Sequence, residues 1–292
     1  MSILVTGATG TIGSQVLAHL AGKTAEVRAL TRSPATAKLS PGITPVGGDL
    51  ADVDSLRTAM TRVDTLFLLA PNVADELTQA MLALSVARES GIKGIVYLSV
   101  FKGEEYADVP HFAGKYTVER MIEDLNLPTT VLRPAYFIQN DLRQKAPLLN
   151  LGVYGMPIGS KGVSMVDIRD IGEAAAIELL RRHSAASALP RETYSLVGPD
   201  GLSGEQLAGI WGEALARTVR YGGDDLAGME QRMKGMIPSW HAMDLRLMFS
   251  RYQTDGAVAS PSDIARLTAL LGRPPRSYRG FAKEAAVQWA RG

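Results

Sequence analysis

The chain opens on an apolar stretch, Ser2 to Thr6, that runs directly into Gly7-Ala8-Thr9-Gly10-Thr11-Ile12-Gly13, after which a helical pattern begins. Nothing else in the sequence restricts the fold as much. A strand, a G-x-x-G-x-x-G turn and a helix, in that order, open a βαβ unit. Glycines there let the chain turn tightly and bring backbone N–H groups close to an anion. The helix N-terminus adds its dipole and its free N–H donors, so the turn suits the pyrophosphate of a dinucleotide. Gly7, Thr9, Gly10, Thr11, Ile12 and Gly13 are the expected contacts.

The rest of the first half agrees. Strand-length apolar stretches at 2–6, 26–31, 43–47, 64–70, 94–100 and 128–134 alternate with amphipathic ones near 12–21, 52–61, 74–90 and 111–126. This alternation predicts an α/β fold: a Rossmann-type, doubly wound parallel sheet covered by helices on both faces. After Pro134 the rhythm breaks. A Gly/Pro-rich segment, NLGVYGMPIGSKG, precedes a helix expected from near Asp170, a strand at ETYSLVG, and a mostly helical remainder from about Ser203. Ser260-Pro261-Ser262-Asp263 reads as a helix start and Gly272-Arg273-Pro274-Pro275 as a stop. The expected division is a dinucleotide-binding domain over 1–150, completed by about 168–198. A smaller, mostly helical substrate lobe then covers 199–292, with 135–166 contributing.

Composition removes several classes. The 31 basic and 30 acidic residues are interspersed, so direct nucleic-acid binding is not expected. The cluster Arg181-Arg182-His183 ends an expected helix, where cations suit the dipole. With no cysteine and four scattered histidines, thiolate chemistry and a metal site are not expected. No G-x-S-x-G elbow marks a hydrolase. The first strand starts without a basic, then long apolar, leader, and no stretch approaches a membrane span; a cytoplasmic protein is the expectation.

The end of the second strand selects the dinucleotide. An acid about 20 residues after the glycines would hold the ribose 2′-hydroxyl of NAD. Here the sequence reads Thr31-Arg32-Ser33, and Arg32 offers a planar cation to a 2′-phosphate. NADP(H) is therefore expected over NAD(H).

With GATGTIG, TRSP, GDL at 48–50, LLAP at 68–71, HFAGKYTVE at 111–119 and LRPAYFIQN at 132–140 all in order, the chain resembles the NmrA-like family of atypical short-chain dehydrogenases. That family includes NADPH-dependent quinone, azo-dye and triphenylmethane-dye reductases, and regulators that bind NADP without known turnover. The resemblance implies that Asp49 and Leu50 border the adenine and that Leu69, Ala70 and Pro71 run beside the middle of the cofactor. It implies further that Ser99 ends the fifth strand at the site and Lys115 bonds the nicotinamide ribose. Pro134 to Phe137 would shape the nicotinamide end, with Asn140 a further contact and Tyr136 facing the acceptor.

His111 stands four residues before Lys115, where classical short-chain dehydrogenases place the tyrosine that donates a proton. Positions i and i+4 share a helix face, so both side chains can meet one ligand. Histidine can donate a proton near neutral pH. The competing reading of His111 is a helix-start residue satisfied by backbone groups. Two Met-rich stretches, GMEQRMKGMIPSW and HAMDLRLMF, fit ordinary helical core better than an adaptable pocket.

The first functional expectation is an NADPH-dependent reductase of a quinone or similar small aromatic acceptor. Its alternative is an NADP(H)-sensing regulator with a protein partner and little turnover. A nucleotide-sugar epimerase shares the fold but needs the tyrosine.

Overall fold

The structure, a computed structural model, describes residues 2–23 and 25–291. In chain order its elements are β1 (Ser2–Val5), α1 (Thr11–Leu20), β2 (Glu26–Thr31), β3 (Ile43–Gly47), α2 (Val53–Ala59), β4 (Val63–Leu68), α3 (Glu76–Glu89), β5 (Gly94–Leu98), α4 (Pro110–Asp124) and β6 (Thr129–Pro134). There follow β7 (Val153–Tyr154), α5 (Ile168–Ser184), β8 (Glu192–Leu196), α6 (Gly204–Leu215), β9 (Arg220–Tyr221), α7 (Leu226–Met233), α8 (Ser239–Thr254), α9 (Pro261–Leu271) and α10 (Tyr278–Ala290). The chain divides into two compact units: Met1–Gly103, Ala113–Arg133 and Ile168–Tyr194 form one, and Glu104–Phe112, Pro134–Asp167 and Ser195–Gly292 the other.

The main sheet has the order β3-β2-β1-β4-β5-β6-β8. The pairs from β3 across to β6 are parallel, with Val5 opposite Ala29 on one side and Phe67 on the other. Strand order reverses at β1 and β4, and in such sheets the crevice at the carboxyl ends of the reversing strands receives the ligand. β1 is buried along its whole length, as suits a strand covered on both faces. Pro45 is tolerated because β3 is the edge strand. Leu56 of α2, Leu84 of α3 and Val118 and Ile122 of α4 join Leu66 and Tyr97 of the sheet in one core cluster.

The basic cluster ends α5 as expected, and its members do more than face the helix dipole. Arg182 is only 3% exposed. Its guanidinium donates to Thr130 Oγ1 at 2.7 Å and to the carbonyls of Pro128, Leu189 and Pro190. Burial lowers its pKa to about 10. Arg181 is paired with Glu178, and His183 Nδ1 lies 2.9 Å from Asp64. The cluster pins β6 and the 189–190 segment rather than merely facing a helix dipole in solvent.

In the second unit, β7 and β9 form a short parallel pair, and Trp211 of α6 stacks on Trp289 of α10. At its centre lies Asp141, fully buried and accepting hydrogen bonds from Tyr136 (3.2 Å), Tyr154 (2.8 Å) and Tyr278 (2.5 Å). Burial outweighs these three bonds and pushes its carboxyl up to about 6. Ser260 starts α9 as expected and closes a capping box with Asp263, and Gly272 ends the helix in the left-handed region.

Candidate functional site

The loops after β1, β2, β3, β4 and β5 all leave the same carboxyl edge, because those strands are parallel. The first is the glycine turn. Gly7 has φ +60°, and Gly10 N–H donates to the Gly7 carbonyl at 3.0 Å, closing the turn. Gly13 is a packing requirement, since a Cβ there would lie 2.1 Å from the Gly7 oxygen. Gly10 is different: a Cβ would meet only that oxygen, at 3.2 Å, on an exposed side of the turn. Thr9 and Thr11 are exposed beside it, while Ile12 and Gly13 are buried. α1 has no side-chain cap and no acid in its first turn. An exposed glycine-lined turn facing uncapped N–H donors fits a dinucleotide pyrophosphate.

Thr6, which sequence reasoning passed over, shapes the neighbouring loop. Its hydroxyl donates to the carbonyls of Phe67 and Leu69 and accepts the Leu69 N–H at 2.8 Å. That is why β4 ends at Leu68 rather than running to 70. Leu69 lies against Gly7, Ala70 is buried and Pro71 is exposed. Arg32 follows β2, exposed, in a turn where Ser33 N–H donates to Thr31 Oγ1. After β3, Asp49 accepts the Ala51 N–H at 2.9 Å, and Leu50 is in the core.

Ser99, just after β5, is buried and donates to Glu119 of α4. Glu119 is itself buried and paired with Arg133 at 2.5 Å. Lys115, one turn earlier on α4, places Nζ 2.5 Å from Glu76 at the start of α3. Ser99 and Lys115 thus each have an acidic partner, Glu119 and Glu76, that no motif marks in the sequence.

The second unit holds the remaining candidates. The backbone N–H of His111 donates to Asp244 Oδ1 at 3.0 Å, and its ring Nδ1 lies 2.5 Å from Oδ2 of the same carboxylate. The contact is close without being aligned, as neither Nδ1 nor Oδ2 has a hydrogen bond of acceptable angle. Asp244 belongs to α8 and is 1% exposed. Burial holds the His241 imidazole below its ordinary range, His111 and Arg143 push the same way, and Asp244 opposes them. Tyr136 is buried, its hydroxyl on Asp141 and its ring edge-on to Phe249 and Tyr252. Pro134 is buried; Phe137 and Asn140 are half-buried.

A family model described as the NmrA-like family matches residues 1–274. The chain belongs to that family. It is 30% identical over 290 residues to an NAD(P)H azoreductase of Xenophilus azovorans, covering 98% of each chain. The Escherichia coli NADPH-dependent quinone oxidoreductase QOR2, solved with NADPH, superposes with TM-score 0.84 at 24% identity over 97% of this chain and 99% of that one. The Citrobacter sp. triphenylmethane reductase, solved with NADP(H), gives 0.83 at 24% over 97% and 100%. These two structural likenesses fix the fold, which is the expected Rossmann-type sheet with a helical C-terminal region. No helix among the described residues is long and apolar enough to cross a membrane.

Proposed function

We propose that this NmrA-like chain is an NADPH-dependent oxidoreductase that reduces a quinone or a similar electrophilic aromatic acceptor. The observation that carries this reading is the full-length match to the azoreductase, at 30% identity over 290 residues. Azo dyes and quinones are both conjugated electron sinks, so a positioned cofactor needs little chemical help from the protein. Reduced nicotinamide, when bound, supplies two electrons and one hydrogen, and one further proton completes the reduction.

The chain's own residues hold and orient. Thr9, Gly10, Thr11 and the N-terminus of α1 bind the pyrophosphate through backbone N–H groups. Arg32 takes the 2′-phosphate, which favours NADP(H) over NAD(H). Asp49 and Leu50 border the adenine, and Leu69, Ala70 and Pro71 the middle of the cofactor. Lys115, braced by Glu76 at 2.5 Å, holds the nicotinamide ribose. Ser99 sets the α4 side of the site through Glu119, with Pro134 and Phe137 assigned to the nicotinamide end and Tyr136 to the acceptor end. His111 supplies the proton.

The test is NADPH consumption by the purified chain across benzoquinones, naphthoquinones and an azo dye. Catalytic, stoichiometric consumption with at least one acceptor is expected. NADPH that binds and is consumed with none would overturn the reading in favour of a cofactor sensor.

A further inference from the structure

One buried carboxylate in the second unit has no part in the cofactor assignments. Asp244 is 1% exposed, and a buried carboxylate needs both a compensating charge and donors for its oxygens. Its two oxygens are used differently. Oδ1 accepts the backbone N–H of His111 at 3.0 Å, at the first turn of α4, where a helix has free N–H groups. Oδ2 stands 2.5 Å from Nδ1 of the same residue's ring. One side chain therefore meets both the backbone of the first turn of α4 and the imidazole of the same residue. The ring is further held edge-on to Phe112, with centroids 4.6 Å apart.

Asp244, His111 and Arg143 all act electrostatically on the His241 imidazole of α8, so these groups share one neighbourhood. A carboxylate on Nδ1 requires a proton there, which leaves Nε2 as the atom that exchanges a proton with anything else.

We propose that Asp244 is the positioning residue that makes His111 a proton donor through Nε2. This rests on the reductase reading above. The step is a proton transfer: the Nε2–H bond of the imidazolium breaks and its electron pair stays on the ring. A new O–H or N–H bond forms on the acceptor, which draws its two electrons and one hydrogen from the nicotinamide of the proposed activity. The neutral ring keeps Nδ1–H on Asp244 and regains its second proton from water.

The experiment uses the full chain in two arms. Nitrogen-15 spectra of the cofactor-free protein at mildly alkaline pH report which ring nitrogen of each of the four histidines carries the proton, with His111 assigned by its loss in His111→Gln. Neutral His111 is expected to be protonated on Nδ1 in the unaltered protein. In Asp244→Asn, which keeps Oδ1 for the α4 N–H but turns an amide donor toward the ring, the proton moves to Nε2. In the kinetic arm, Asp244→Asn lowers kcat with the best acceptor about 10-fold or more while KM for NADPH stays unchanged, and His111→Gln lowers it at least as far.

A neutral His111 carrying its proton on Nε2 in the unaltered protein overturns the proposal without any variant having to fold. A kcat unmoved in Asp244→Asn while His111→Gln is impaired overturns the positioning role. Full turnover in His111→Gln overturns the donor itself. If no acceptor is turned over, the reductase reading fails while the spectra still decide whether Asp244 sets the ring.

Discussion

Gly10 and Gly13 stand three residues apart and answer to different forces. A Cβ at Gly13 would collide with the Gly7 carbonyl at 2.1 Å, whereas one at Gly10 needs that oxygen to give only a few tenths of an ångström from 3.2 Å. Gly13→Ala is therefore expected to lower thermal stability and cofactor affinity together. Gly10→Ala is expected to keep its melting temperature within a few degrees yet bind NADPH about 10-fold or more weakly, because its methyl enters the anion's space. Calorimetry and thermal unfolding of the two variants check this; unchanged affinity in Gly10→Ala would mean that no pyrophosphate lies there. Arg32→Ala makes the companion test. Losing a charge-assisted bond to phosphate should weaken NADPH about 10-fold or more and leave NADH unaffected, and equal losses would remove the 2′-phosphate assignment. At this scale the sequence was readable where spacing is local: the turn and Arg32 follow a strand that its own composition announces. Thr6, Glu76 and Asp244 were not readable, because the first looks like any strand end and the others meet partners 39 and 133 residues away.

Among elements, the alternation of strands and helices was legible because strand and helix have different periods, and β1 to β6 fell within two residues of expectation. The shortened β4 is a side-chain effect: the Thr6 hydroxyl takes over the Leu69 backbone groups. The Met-rich stretches are mixed rather than all core. Met229 and Met248 are buried, while Met236 is 76% exposed, with Trp240 and Met243 also partly in solvent. α5 carries the clearest stability prediction. Arg182 satisfies three carbonyls and a hydroxyl from a buried position, so Arg182→Ala leaves Thr130 and those carbonyls short of a donor. The expected cost is about 3 kcal/mol, read by denaturant unfolding. A loss well under 1 kcal/mol would show that water replaces the guanidinium without penalty.

For the molecule as a whole, the second unit contains a built-in opposition. Asp141 is pushed up to about 6 from 3.8, chiefly by burial. The folded state thus holds the proton more tightly than the unfolded chain. The stability tied to that proton is complete below about pH 4, is lost as pH rises to about 6, and amounts to roughly 2–3 kcal/mol. Asp141→Asn removes the titration. Its melting temperature relative to the unaltered protein should therefore rise between pH 4 and pH 6.5; a difference that does not vary with pH would contradict the burial argument. None of this was visible in sequence, since Asp141 meets Tyr278 across 137 residues and no periodicity links them.

The proposed reaction moves electrons from NADPH to an aromatic acceptor. Rapid mixing of the NADPH-loaded protein with its best quinone, using cofactor deuterated at the transferred position or not, tests it most directly. Single-turnover oxidation that is slower with the deuterated cofactor is expected. Bound NADPH that stays reduced in the presence of every quinone would contradict it.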